Sequence, residues 1–148
     1  GAEIKDCHLI QRTSAGTQGV VNSYNAETLL AASFCNAQAT VNHIKRIDPE
    51  SVTFVITGLG PDGRGEEDMA CAEYLESLLS DINVNPEPYL TRVLECRTSQ
   101  ALFANPEMPK FLWQDIEHCV DLDHFDFAMV VSRENGQYVM KPVNLRSV

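Results

Sequence analysis

The sequence predicts an α/β fold with helices layered on a sheet, and three observations carry that prediction. Apolar runs of strand length alternate with helical patterns over the first hundred residues. Residues 51–58, SVTFVITG, are β-branched and almost continuously apolar, as in a strand covered on both faces. Residues 66–82, EEDMACAEYLESLLSDI, open with three acids and then place Met69, Ala72, Leu75 and Leu79 at helical spacing.

The elements follow in order. Residues 7–12, CHLIQR, read as a strand, and residues 16–24 as a short helix or turn. Residues 27–34, ETLLAASF, form a second apolar run short enough for a buried strand. Residues 36–47 follow as a helix, with Asn36 as N-cap, Ala37, Val41, Ile44 and Ile47 inward, and Asp48-Pro49 as the stop. The strand 51–58 leads into a Gly-rich loop and the acidic-headed helix. After a turn-rich linker at 83–89, residues 89–104 and 109–122 read as two further helices, the second with Pro109 in its first turn. Asn135-Gly136 between two alternating strands marks a type I′ hairpin over 126–143.

Length and charge bound the function. At 148 residues the chain is most simply a single α/β domain, 1–148. A chain of this size buries about 68–70% of the surface its unfolded form exposes. The net charge of −10 repels a phosphate backbone, so no nucleic-acid partner is expected. No run of apolar residues reaches membrane-span length and no secretory signal is visible, so no membrane partner is expected either. Five cysteines without CxxC spacing fit small core residues in a reducing cytoplasm better than a disulfide or zinc framework. The chain starts at Gly1 and not at a Met, which reads as a tag remnant or as a processed or truncated product, so a longer natural chain is an expectation.

Three strand-to-helix loops stand out, because ligands of α/β sheets collect beyond the carboxyl ends of strands. The first, RTSAGTQG at 12–19, joins glycines to hydroxyls. Glycine lets backbone approach an anion, and Thr13, Ser14, Gly16 and Thr17 offer hydroxyl and amide donors. Arg12 adds a charge-assisted donor. An ordinary Gly/Ser turn remains the plain alternative. The second, SFCNA at 33–37, presents Asn36 either as a helix cap or as an amide aimed at the same ligand. The third, LGPDGRGEED at 59–68, ends in Glu66, Glu67 and Asp68. Acids there complement the helix dipole, and they equally suit a hard cation such as Mg2+, which takes one or two carboxylates plus waters and substrate oxygens. Hydroxyl and amide donors beside such a cation make a phosphoryl-transfer site.

Other motifs are decoys. DLDHF at 121–125 has the DxD of a haloacid-dehalogenase motif but lacks its final Thr or Val and follows a helix. His118-Cys119 lacks the arginine of a cysteine phosphatase, since position 125 is Phe. LGPDGRG is not a nucleotide loop, because no Gly-Lys-Ser/Thr follows. The four histidines show no metal-ligand spacing.

Taken in order, the three loops resemble the 2-phosphosulfolactate phosphatase family, a magnesium-dependent group tied to coenzyme M biosynthesis. Gly16 and Thr17 fall on the family's Gly-Thr, residues 33–37 on its Ser-Phe-x-Asn-Ala, and Glu67-Asp68 on its Glu-Asp. The likeness is firm over residues 9–79. Gln18 stands where the family has arginine. The family's amino-terminal segments, Asp-Val-Leu-Arg-Ala, Gly-Glu-Arg and Gly-Asn-Ser-Pro, do not occur here. The resemblance therefore implies the carboxy-terminal half of a longer protein, with a three-layer α/β/α arrangement and a mixed sheet like one of the family's two similar domains. It implies a cytoplasmic phosphoric monoester hydrolase acting on a small anionic phosphorylated substrate such as 2-phosphosulfolactate. Glu67 and Asp68 would hold Mg2+, with Asp68 alternatively a general base, and Arg12 would neutralise charge. Thr13, Ser14, Gly16, Thr17 and Asn36 would bind substrate. The alternative is a non-catalytic anion-binding or partner domain. A homo-oligomer, or pairing with the absent amino-terminal half, would complete the site.

Overall fold

The computed structural model describes residues 7–13, 15–58, 65–105, 107 and 110–144. The elements are α1 (Gly16–Asn22), β1 (Leu29–Ala31), a 3-10 turn (Phe34–Asn36), α2 (Ala37–Ile47), α3 (Glu66–Leu79), α4 (Glu87–Glu95), α5 (Arg97–Phe103), α6 (Lys110–Cys119), β2 (Phe127–Glu134) and β3 (Gln137–Asn144).

The helices begin and end where local chemistry dictates. Asp48 and Asp81 sit in the left-handed region, at φ 45° and 55°, and each ends a helix. At the end of α3 the Ile82 amide donates to the Ser77 carbonyl and the Asp81 amide to that of Leu78, so two terminal carbonyls are satisfied. Asp81 also pairs with Lys45 at the end of α2. The helix expected over 89–104 divides at Cys96, whose extended ψ of 154° ends α4 before α5 starts.

The core is helical. Phe34, Ala37 and Val41 meet Ala70, Tyr74, Leu75 and Val93 in one buried cluster. Tyr74 lies between Phe34 and Tyr89, with ring centroids 5.7 and 5.5 Å away, at tilted angles that suit aromatic quadrupoles. Burial corrects the expected faces. On α3, Ala70 and Tyr74 are buried with Ala72 and Leu75, whereas Met69 is exposed. On α2, Ile47 is exposed and Thr40 and His43 are buried. Each helix meets two neighbours, α3 packing against α2 and α4 and α2 against α3 and β2, so a single stripe does not describe what either covers.

The sheet departs furthest from expectation. It is antiparallel throughout, in the order β1-β2-β3, where a mixed sheet was expected. Only Leu29–Ala31 of the run 27–34 forms strand. Residues 7–12 and 51–58 have no strand pairing among the described residues. Strand propensity measures how well a segment fits beside partners, so apolar β-branched sequence without a neighbour makes no ladder. The hairpin forms as expected. Asn135 and Gly136 have φ 50° and 82°, and Glu134 faces Gln137 across the turn. α2 packs on β2, which anchors the helical core to the sheet. Among the described residues, no helix is long and apolar enough to cross a membrane.

Candidate functional site

The site is built around Asp68, in the first turn of α3. Its Oδ2 accepts two hydrogen bonds from one residue, from the Thr57 amide and the Thr57 hydroxyl, each 3.0 Å long. Oδ1 has no protein partner among the described residues. Two donors on one oxygen fix the carboxylate's orientation and leave the other oxygen for a ligand.

Thr57 also touches the first loop. A Cβ at Gly19 would stand 2.5 Å from Thr57 Cγ2, closer than real Cβ contacts come. The absence of a side chain at Gly19 therefore lets α1 lie directly on Thr57. At the start of α1, Thr17's amide donates to Thr13 Oγ1 at 3.1 Å and Thr17's hydroxyl to the Thr13 carbonyl at 2.7 Å. Gly16 sits against the same hydroxyl, since a Cβ there would come within 3.2 Å of Thr13 Oγ1. The two threonines thus close the loop on itself, and what they offer outward is the lone pair and proton left over. Arg12 is exposed and makes no hydrogen bond or ion pair among the described residues. Ser14 lies outside the described residues.

The second loop is held from within. Asn36 is 4% exposed. Its Oδ1 accepts from the Ser33 amide at 3.0 Å and the Ser33 hydroxyl at 3.2 Å, and its Nδ2 donates to the Phe127 carbonyl at 3.5 Å. Asn36 organises the turn and gives α2 no side-chain cap. That cap comes from Asp123, whose Oδ1 accepts from the Gln38 amide at 2.7 Å. The segment around Asp123 clasps the turn further: the Asp123 amide donates to the Phe34 carbonyl and the Phe125 amide to that of Cys35.

Electrostatics join the second loop to the third. Burial, then Asp68 and Cys35 nearby, pushes the Cys71 thiol up to about 12. Burial, then Cys35, Asp115 and Glu67, raises the Cys119 thiol as well. Asp68 and Glu67 are both half-buried at the head of α3. Glu66 is half-buried beside them, so three acids head the helix. Among the described residues, no group of three or more His, Cys, Asp or Glu is gathered to hold a metal. A shallow cavity of about 350 Å³ lies at the far ends of α2 and α3, lined by Ile44, Lys45, Asp48, Glu76 and Leu79 among others, away from these acids.

A family model described as 2-phosphosulpholactate phosphatase matches residues 1–134. The chain belongs to this family. It is 28% identical over 134 residues to a "Probable 2-phosphosulfolactate phosphatase" from Bacillus subtilis (strain 168). That match covers 90% of this chain and 58% of the relative, so the chain spans little over half the relative's length. The family match starts at residue 1 and lends no support to assigning the chain to a carboxy-terminal portion. No solved structure matches.

Within the family frame, Gly16, Thr17 and Asp68 meet through Thr57 and Gly19, while Glu67 lies within electrostatic range of Cys119. Thr57 itself escaped the sequence reading. Its signal was a lone hydroxyl at the end of an apolar run, just ahead of the Gly-rich loop.

Proposed function

We propose that this chain carries the acidic and phosphate-binding side of a magnesium-dependent phosphatase that hydrolyses a small acidic phosphate monoester such as 2-phosphosulfolactate to sulfolactate. The observation that supports this most is the Thr57 bridge, which ties the Gly-Thr loop of α1 to the Asp68 carboxylate. Two parts with opposite tasks, anion binding and cation binding, thereby share one residue.

The donor set fits Mg2+, which needs one or two carboxylates and fills its remaining positions with water and substrate oxygens. Asp68 through Oδ1 and Glu67 would hold it, and bound there it supplies neutralisation of phosphoryl charge. Thr57 keeps Asp68 from turning away. Thr13, Ser14, Gly16 and Thr17 would cradle the phosphate, and Arg12 would neutralise its remaining charge. Asn36 acts on substrate through the shape of its turn, because its amide is already bonded. The same reading carries the family's three-layer α/β/α arrangement. The reading also carries the family's link to coenzyme M biosynthesis, a cytoplasmic setting, and the carboxy-terminal placement within a longer product.

The test is phosphate release from a panel of small phosphorylated acids, with and without Mg2+, from the natural full-length product. Expected is Mg2+-dependent release that Asp68→Asn abolishes. Normal turnover in Asp68→Asn would sink the assignment.

A further inference from the structure

Three cysteines lie on elements that pack at the 3-10 turn. Cys35 belongs to the 3-10 turn, Cys71 to α3 and Cys119 ends α6. Cys35 lies close enough to act electrostatically on both of the others. It is nearer still to the end of α6: its thiol donates to the His118 carbonyl at 2.7 Å, and His118 is the residue before Cys119. α6 and the turn pack directly on each other. All three cysteines are free.

We propose that Cys35 and Cys119 form a reversible disulfide that ties α6 to the Ser33–Asn36 turn. Exposure and contact select the pair. Cys119 is exposed and meets an oxidant first. Cys35 and Cys71 are both half-buried, but Cys35 touches the end of α6 whereas Cys71 packs against the helical core. The oxidant is a low-molecular-weight disulfide, R–S–S–R. The Cys119 thiolate attacks one of its sulfurs, forms a mixed disulfide and expels RS−, which takes up a proton. The Cys35 thiolate then attacks the Cys119 sulfur, forms the protein disulfide and expels the second RS−. Two protein thiols lose two electrons and two protons, and R–S–S–R becomes two R–SH.

The consequence is local and physical. Cys35 precedes Asn36, and its carbonyl accepts from the Phe125 amide, so a covalent link there adds to contacts that already shape the turn. It also closes a loop spanning more than 80 residues, which restricts the unfolded chain. Oxidation therefore raises thermal stability, and dithiothreitol reverses it.

The experiment treats the intact protein with oxidised glutathione, blocks remaining thiols with N-ethylmaleimide and maps tryptic peptides without reduction. Lys and Arg positions place each of the five cysteines on its own peptide. The expected result is a peptide pair joining Cys35 to Cys119, lost on reduction, with an upward shift of the unfolding midpoint that is absent in Cys119→Ser. Glutathione persisting on Cys119 without a cross-link, a link to Cys71 instead, or no modification at either cysteine would each overturn the proposal. The map of the unaltered protein decides the pairing even if Cys119→Ser folds poorly.

Discussion

Replacing Thr57 by Val tests whether the bridge to Asp68 holds the two loops together. Valine keeps the shape and the methyl group that lies against Gly19, and the Thr57 amide still donates to Asp68. Only the hydroxyl bond to Oδ2 is lost. A hydrogen bond to a charged group contributes about 1.5–3 kcal/mol, but Thr57 and Asp68 are half-buried and water replaces part of the loss. A cost of about 1–1.5 kcal/mol follows, or a fall of roughly 2–6 °C in unfolding midpoint for a domain of this size. Urea unfolding followed by circular dichroism measures it, with Thr57→Ser as the control that keeps the hydroxyl. A double-mutant cycle with Asp68→Ala isolates the pair, with an expected coupling of about 1 kcal/mol. If Thr57→Val costs under about 0.3 kcal/mol, or if the two changes add within the roughly 0.3–0.5 kcal/mol typical of independent sites, the bridge does not tie the loops and the reasoning fails.

Three further outcomes are expected. Gly19→Ala should destabilise by about 1–3 kcal/mol, because the clash with Thr57 Cγ2 outweighs the helix propensity gained, which is about 0.8–1 kcal/mol; a stabilised variant in thermal melts would show that α1 does not rest on Thr57. Asp123→Ala should cost about 1–2 kcal/mol, since it removes the cap on the Gln38 amide and puts alanine at φ 53°, whereas Asp123→Asn should be nearly silent; equal losses in the two would refute capping. The Cys71 thiol is raised in the folded state from an ordinary value of 9.0 to about 12, so its contribution is complete below pH 9 and is lost as pH rises towards 12. Unfolding free energies from urea titrations should therefore fall on the order of 1 kcal/mol per pH unit above 9 in the parent protein and less steeply in Cys71→Ala; parallel slopes would refute it.

Elements governed by local chemistry were legible in advance. Asn135-Gly136 demanded a turn that only positive φ satisfies, and the hairpin followed. Three acids heading a helix and Asp48-Pro49 stopping one are likewise local signals. The face of α3 was legible in part: Ala72, Leu75 and Leu79 pack inward as expected, but Met69 is exposed and Ala70 and Tyr74 are buried, because the buried surface depends on how many neighbours the helix meets. The strand reading of 51–58 failed for a related reason, since pairing belongs to two segments and a sequence run reports on one. At the site, the order of three loops carried the family resemblance, and the family match agrees with it.

By itself, then, the sequence determined what short-range chemistry decides: the hairpin turn, the stop of α2 at Asp48-Pro49, the acidic head of α3 and the motif order of the family. The tertiary structure alone decided which groups meet. It set Thr57 between Gly19 and Asp68, turned Asn36 inward onto Ser33, passed the cap of α2 to Asp123 and brought Cys35 against the end of α6. The reason is that hydrogen bonds and packing between distant segments depend on distances in space, and those distances are set by the core that forms between the segments, not by the residues of either one.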